Sequence, residues 1–453
     1  MSETDGGRPV SALFTDFYEL TMLQAYWRQG MTARATFSLY YRTLPETRNF
    51  LVAAGLADVL AALEGLAFGP DDVAFLRSTG RFEDGFLAFL SDLRFTGDVW
   101  AMPEGTPVFP NEPILEVEAP MPEAQLVETL VINQINVAML IASKAARILA
   151  AAAGRPVLDF GSRRAHGIDA ANKAARSSYL VGCVGTSNVL AGKLYGIPLS
   201  GTMAHSYVAA ALDEIDAFET FARLYPDTVL LVDTYDVIEG VDNVVRLAER
   251  LGEAFRVTAI RIDSGDLVAL SREARGRLDR AGLGRVKIVA SGGLDETKIA
   301  ALVASGAPID AYGVGTSLAT SSDAAEVDVS YKLSAYAGEG RVKLAAGKRH
   351  LAGAKQVFRR EVEGVPVGDV LAGRSERHPG RPLLEPVMAD GERLPAGRRD
   401  LATARAYAMG EIARLPAELS ALAPCRAYPV AVSPALEAES RRIGDLHLHR
   451  RAG

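Results

Sequence analysis

The chain has 453 residues, enough for roughly two or three domains with large cores. Its 49 Lys and Arg against 56 Asp and Glu give a formal charge of −7 and a pI near 5.6, which argues against a broad nucleic-acid footprint but leaves room for a local basic phosphate pocket. Cys183 and Cys425, with no CxxC spacing, support neither a disulfide framework nor a zinc knuckle. The polar, acidic N-terminus and the lack of a membrane-dense stretch fit a cytoplasmic enzyme with no membrane or nucleic-acid partner.

In chain order, a disordered start gives way at Ser11–Trp27 to a helix entered through Thr15 and Asp16, with an aromatic stripe at Phe14, Phe17, Tyr18, Tyr26 and Trp27 that reads first as core or interface. Ala35–Tyr41 alternates like a strand and Phe50–Leu66 like an amphipathic helix. Phe95–Glu118, punctuated by Gly and Pro, predicts a small β unit with hairpin turns at Pro103–Gly105 and Pro110–Pro113. A long helical pattern covers Glu123–Ala153 and stops at Gly154 and Pro156.

Beyond it the texture becomes strand-then-helix. Strands are predicted at Val157–Phe160, Gly182–Thr186, Ile197–Ser200, Thr228–Asp233, Val257–Asp263, Val286–Ser291 and Ala311–Gly315, with helices at Val241–Leu251, Leu267–Ala281 and Glu296–Ala304. Continuous β-branched runs mark strands buried on both faces, so the repeats predict a (β/α) barrel, with an open doubly wound sheet as the alternative. Strands resume at Val327–Tyr336, Arg341–Leu344 and Lys355–Arg359. An extended loop at Leu371–Arg399, a helix at Leu401–Arg414 and a loose His-containing tail complete the chain.

Polar clusters close five of the barrel strands: Asp159–Arg164, Asp233–Asp236, Arg261–Asp266, Ser291–Gly293 and Gly313–Ser317. Carboxyl ends of parallel strands are where such folds carry their sites, although any single cluster would pass as caps and surface charge. Between them, Gly185–Val208 holds His205 among small residues. This is a setting for an anion site in which the imidazole is base, nucleophile or phosphate acceptor, or else a tight turn around a hydrogen-bonded histidine.

The glycine turns Ser291-Gly292-Gly293 and Gly313-Val314-Gly315 offer backbone donors for a phosphate. Asp263 and Asp266 suit ribose hydroxyls or a hydrated Mg2+, and Arg163, Arg164 and Arg261 suit phosphate or carboxylate oxygens. A phosphosugar attacked at its anomeric carbon while a magnesium-bound anion leaves fits the set.

Together, DFGSRRAHG (Asp159–Gly167), GTSNVLAGKLYGIPLSGTMAHS (Gly185–Ser206), VDTYD (Val232–Asp236), IRIDSGDL (Ile260–Leu267), VASGGLDE (Val289–Glu296) and YGVGTSL (Tyr312–Leu318) resemble the nicotinate phosphoribosyltransferases. TDFYELTM (Thr15–Met22) belongs to the pattern, and Lys343–Arg359 resembles the closing segment, with Ala352 where a proline is expected before Gly353.

The resemblance implies an irregular (β/α) barrel of the type II phosphoribosyltransferase kind at 126–335, beside a composite α+β domain made of 1–125 and 336–453. It implies a homodimer with sites at the subunit interface, and transfer from phosphoribosyl pyrophosphate to nicotinate coupled to ATP hydrolysis, with Mg2+. His205 matches the transiently phosphorylated histidine and Asp233 its orienting carboxylate. Phe160 and Tyr18, the latter from the second subunit, match the aromatic pair around the pyridine ring. Arg163, Arg261 and Asp263 fall on sugar and phosphate positions; Gly293 and Gly315, flanked by Ser291, Gly292, Gly313 and Thr316, lie beside the phosphate; Asp266 is a metal candidate.

Related nicotinamide-using enzymes carry an aspartate where Ser187 stands, and a neutral Ser187 would tolerate the nicotinate carboxylate. A nicotinamide-using enzyme and a non-catalytic relative are the rival readings. An aldolase or isomerase would need a Schiff-base lysine or an acid/base pair at a strand end, and no lysine ends a predicted core strand.

Overall fold

The computed structural model describes residues 11–344 and 350–452; the expected disordered start and part of the Lys343–Arg359 segment lie outside them. The chain forms two compact units, Met1–Ser143 with Glu326–Gly453, and Lys144–Ala325.

In the first unit a seven-stranded sheet interleaves both ends of the chain. One of its inner strands is Arg34–Tyr41, buried over seven of its eight residues. One edge of that strand pairs antiparallel with Val329–Tyr336 and the other with Leu115–Pro120. Asp98–Ala101 and Glu385–Ala389 extend the sheet. A second sheet is built on the hairpin Lys355–Val362 and Val365–Gly373. The hairpin is tied to the N-terminal part by Arg359, which is fully buried. Its guanidinium pairs with Asp369 at 2.7 Å, donates to the Pro107 carbonyl at 2.9 Å and stacks on the rings of Phe109 and Tyr428.

Several elements differ from expectation for identifiable reasons. The segment Phe50–Leu66 begins as a short strand, Leu51–Val52, and turns helical only at Leu56, because Gly55 takes φ +93° where its missing side chain lets it approach the Gln134 carbonyl. The turns at Pro103–Gly105 and Pro110–Pro113 close no hairpin: Pro107–Val108, between them, pairs with Leu51–Val52. The Arg341–Leu344 strand is replaced by Glu339–Gly340, and the Leu371–Arg399 loop contains the strand Glu385–Ala389, which pairs with the distant Asp98–Ala101, and Glu392–Arg393, which folds back on it as a local hairpin. The tail is the end of helix Pro434–Ala452.

The long helical run breaks at Val127 into Met121–Leu126 and Glu128–Ala152. The latter is long and apolar enough to cross a bilayer, yet 72% of its most apolar window is buried inside the protein, as in a core helix.

The second unit is an irregular (β/α) barrel. Its strands are β1 (Val157–Asp159), β2 (Gly185–Thr186), β3 (Val229–Leu231), β4 (Ala259–Ile262), β5 (Lys287–Ala290) and β6 (Ala311–Val314). They pair in the parallel order β2-β1-β6-β5-β4-β3, a ring of sequential neighbours left open only between β2 and β3. Ile197–Ser200, predicted as a strand, makes just one bridge, Leu199 to Thr186, at that seam. Pro198 lacks the N–H that a longer ladder would need.

One buried acid makes the first unit sensitive to pH. The Glu19 carboxylate, fully buried, accepts from the Thr129 N–H at 3.2 Å and hydroxyl at 3.0 Å; burial pushes its pKa from 4.5 to about 7, against the pull of the Thr15 and Thr129 hydrogen bonds. The folded state therefore holds a proton that the unfolded chain releases between these values, and this contribution to stability falls as pH rises through the window. His350 acts in the opposite sense: burial lowers its pKa from 6.5 to about 4, so its contribution rises with pH over that range. Thermal melts from pH 4.5 to 8 should show Glu19→Gln gaining stability relative to the parent as pH increases; parallel curves would refute a protonated Glu19.

Candidate active site

Each barrel strand delivers a polar group at its carboxyl end. At β1, the buried Asp159 carboxylate accepts from the Thr186 hydroxyl at 2.7 Å and the Gly161 N–H at 2.9 Å, and its carbonyl accepts the Ser187 N–H at 2.9 Å, so one residue fixes the exits of β1 and β2. Burial raises the Asp159 pKa, opposed by those two side-chain bonds. The Phe160 N–H donates to the Val314 carbonyl at 2.8 Å and its ring lies over Gly313, where a Cβ would stand 2.5 Å from the ring carbons. A 3-10 turn, Ser162–Arg164, follows and leaves Arg163 and Arg164 exposed; Ser187 is also exposed.

Asp233, Arg261 and Asp263 form a connected group at the ends of β3 and β4. Asp233 Oδ2 accepts from the Asp263 N–H at 3.0 Å and the Ser264 hydroxyl at 2.6 Å, while its Oδ1 is buried with no partner among the described residues. Arg261 reaches the Met203 carbonyl at 3.4 Å and its Nε is likewise unpartnered. Burial lowers its pKa, Asp263 and Asp233 hold it up, and nearby Arg163 pushes it down again. Asp263 Oδ1 accepts from the Ser291 hydroxyl, which ties β4 to β5. Unpartnered polar atoms of both signs in one group mark a place where a polar ligand completes the bonding.

The turn after β5 carries the tightest backbone contact. Gly292 has φ +89°, and a Cβ there would meet the Asp263 carbonyl oxygen at 1.7 Å; Gly293 follows with φ +59°. After β6, Gly315 leads into the short helix Thr316–Ala319 and packs at the Phe160 carbonyl, where a Cβ would lie at 3.2 Å.

Two expected placements differ. His205, exposed at the start of helix His205–Ala210, has its Nδ1 3.3 Å from the Thr234 hydroxyl, while the Asp233 Oδ2 accepts from Asp263 and Ser264. Asp266 Oδ1 caps helix Leu267–Arg280, accepting from Val268 N–H at 3.0 Å and Ala269 N–H at 3.1 Å, so it serves the backbone. Among the described residues no three His, Cys, Asp or Glu side chains are grouped to hold a metal. Tyr18 belongs to the first unit, exposed, with its hydroxyl 3.4 Å from Glu19; burial, then the charges of Glu128, Glu19 and Asp16, raise its pKa.

Sequence reading missed two groups here. Thr234 lay inside a quoted motif, but its hydroxyl gave no sign of facing His205. Lys298 donates to the Gly293 carbonyl at 2.6 Å. Its only signal was the spacing: a cap residue, Asp295, follows the glycine turn, so Lys298 falls on the first turn of the helix that the turn feeds. A cavity of about 390 Å³ opens beside the β1 exit, lined by Ser162, Ala165, Gly167, Ile168, Asn172 and Asn188 among others.

The fold is that of a (β/α)-barrel enzyme whose polar groups gather at the strand ends. Two family models match in succession: the nicotinate phosphoribosyltransferase (NAPRTase) N-terminal domain over residues 13–136 and the NAPRTase family over 156–359. The chain belongs to the nicotinate phosphoribosyltransferase family. It is 56% identical over 403 residues to nicotinate phosphoribosyltransferase pncB2 of Mycobacterium tuberculosis, covering 89% of this chain and 87% of that one. To the nicotinate phosphoribosyltransferase of Bacillus subtilis it is 42% identical, covering 77% and 73%. The crystal structure of human nicotinic acid phosphoribosyltransferase superimposes with a TM-score of 0.84 at 30% identity, over 95% of this chain and 99% of that one.

The Gly292 contact sets a sharp test. Gly292→Ala must displace either the turn or the end of β4, and should cost about 2–4 kcal/mol of stability in urea denaturation. An unfolding midpoint equal to that of the parent would mean that the strand ends are not so closely held.

Proposed function

We infer that this protein transfers the phosphoribosyl group of phosphoribosyl pyrophosphate to nicotinate, giving nicotinate mononucleotide and pyrophosphate, with ATP hydrolysis coupled through a phosphohistidine at His205. The observation that carries the reading is the group at the ends of β3 to β6, where Asp233, Arg261 and Asp263 meet glycine turns open to a phosphate. Family membership narrows the phosphorylated ligand to this substrate class.

In this reading the pyridine nitrogen bonds to the anomeric carbon as the carbon–oxygen bond to pyrophosphate breaks and its electron pair leaves with that group. Cationic character grows on the sugar and then on the ring, which the face of Phe160 stabilises, with Tyr18 of a second subunit on the opposite side. Asp263, steadied by the Ser291 hydroxyl, takes ribose hydroxyls, while Arg261 and Arg163 counter the phosphates. Mg2+ suits one or two carboxylates together with substrate phosphates. The unpartnered Asp233 Oδ1 and the Asp263 carboxylate fit that role better than Asp266, one oxygen of which caps a helix. The ion would supply charge neutralisation for the leaving pyrophosphate.

With Nδ1 facing Thr234, the free Nε2 of His205 is the nitrogen for the γ-phosphate of ATP. Exposed apolar residues on the N-terminal helix, Phe17 and Tyr18, and on the barrel, Ile168 and Val189, support a homodimer. The two free cysteines agree with a cytoplasmic, reducing location.

Pyrophosphate release with phosphoribosyl pyrophosphate and Mg2+ tests the reading, comparing nicotinate, nicotinamide and quinolinate with and without ATP. Release with nicotinate, raised by ATP, is expected; silence with every base would overturn it. His205→Ala should lose the ATP stimulation while retaining slow transfer at high substrate, and equal loss of both would give His205 a different role. Ser187→Asp should raise the KM for nicotinate about tenfold more than that for nicotinamide, through charge repulsion. A parallel rise for both bases would remove Ser187 from base selection.

A further inference from the structure

The glycine turn after β5 provides neutral donors, yet a phosphate monoester carries close to two negative charges near neutral pH. At the β4 exit, Arg261 lies in the field of both Asp233 and Asp263. A different cation stands at the turn itself. Lys298 is exposed, and its ammonium, 2.6 Å from the Gly293 carbonyl, has no carboxylate partner among the described residues. Of the two acids just before it, Asp295 uses its Oδ1 to accept the Lys298 N–H at 2.8 Å, and Glu296 is paired elsewhere.

The lysine is also well braced. Glu296, two residues earlier on the same helical turn, is buried and anchored by Lys144 at 2.5 Å and Arg147 at 3.2 Å, with Lys144 bonded in addition to Asp323 at 2.9 Å. An ammonium has three donors, and the Gly293 carbonyl uses one, leaving two beside a turn that no side chain fills.

We propose that Lys298 is a substrate-binding residue, its ammonium braced on Gly293 and paired with the phosphate monoester that the sugar keeps throughout the reaction. The proposal rests on the phosphoribosyl-transfer reading of this site and adds a cation bonded directly to its phosphate turn. A purely structural brace would need only the hydrogen bond to Gly293; a binding role needs the charge.

Two variants separate these roles. Lys298→Gln retains an N–H donor without charge, and Lys298→Arg retains charge. Lys298→Gln should raise the KM for phosphoribosyl pyrophosphate and weaken calorimetric binding of nicotinate mononucleotide to a similar extent, about 10- to 100-fold, leaving the KM for nicotinate within about twofold. Lys298→Arg should recover most of the loss. An unchanged KM for phosphoribosyl pyrophosphate in Lys298→Gln, or an arginine variant no better than the glutamine one, overturns the proposal. Weakening confined to phosphoribosyl pyrophosphate would move the cation to the leaving pyrophosphate and overturn the assignment to the retained phosphate. Binding of ribose 5-phosphate to the parent and to Lys298→Gln reads the same subsite without turnover. Loss of that binding in the variant would uphold Lys298 even in a protein inactive toward nicotinate, and equal binding would sink it.

Discussion

The second unit is organised by an approach of backbone to backbone that admits no side chain. With Gly292 packed on the Asp263 carbonyl, the exits of β4 and β5 are held so close that Ser291 and Asp263 share a hydrogen bond. Gly313 does the same for β6 and Phe160, whose ring occupies the space a Cβ would need. Side chains at either position would drive the strand ends apart, and groups that depend on each other for orientation would lose their partners. Rigidity at the strand ends thus comes from omission: glycine removes matter where two chains must touch.

Charge is distributed on that frame with little surplus. Asp159 is buried and spent on Thr186 and Gly161; Asp233 gives one oxygen to Asp263 and Ser264 and keeps the other unbonded; Arg261 is half-buried between opposing fields. Groups held this way cannot relax onto one another, so an entering ligand meets atoms whose desolvation has already been met by the fold. The same economy explains why Asp266, outwardly similar to Asp263 and three residues away, does different work. It sits where a helix begins, and its carboxylate closes the open N–H groups of that first turn.

Much of this was legible in the sequence because parallel strands announce themselves as unbroken apolar runs and end in polar residues. The six paired strands lie within predicted runs, and the helix Glu296–Ala304 has the predicted limits. What escaped was whatever depends on contact between distant segments. Nothing near Pro107 indicates that it pairs with Leu51–Val52, and nothing within Leu371–Arg399 shows that Glu385–Ala389 finds Asp98–Ala101. At the site, residue types were readable and pairings were not: Thr234 facing His205 and Lys298 reaching Gly293 are matters of side-chain direction, which spacing constrains only loosely.

The interleaved sheet of the first unit sets an order for the birth of the molecule. Strand Arg34–Tyr41 is completed on one edge by Val329–Tyr336, nearly three hundred residues later, while the barrel is assembled wholly from the chain in between. At a synthesis rate of about 5–20 residues per second, that edge waits roughly 15–60 s for its neighbour. During the wait it is an apolar strand with an open row of backbone donors and acceptors, the form most inclined to pair with the wrong chain. A strand that is buried inside the mature sheet is therefore, on the ribosome, a segment in need of a chaperone.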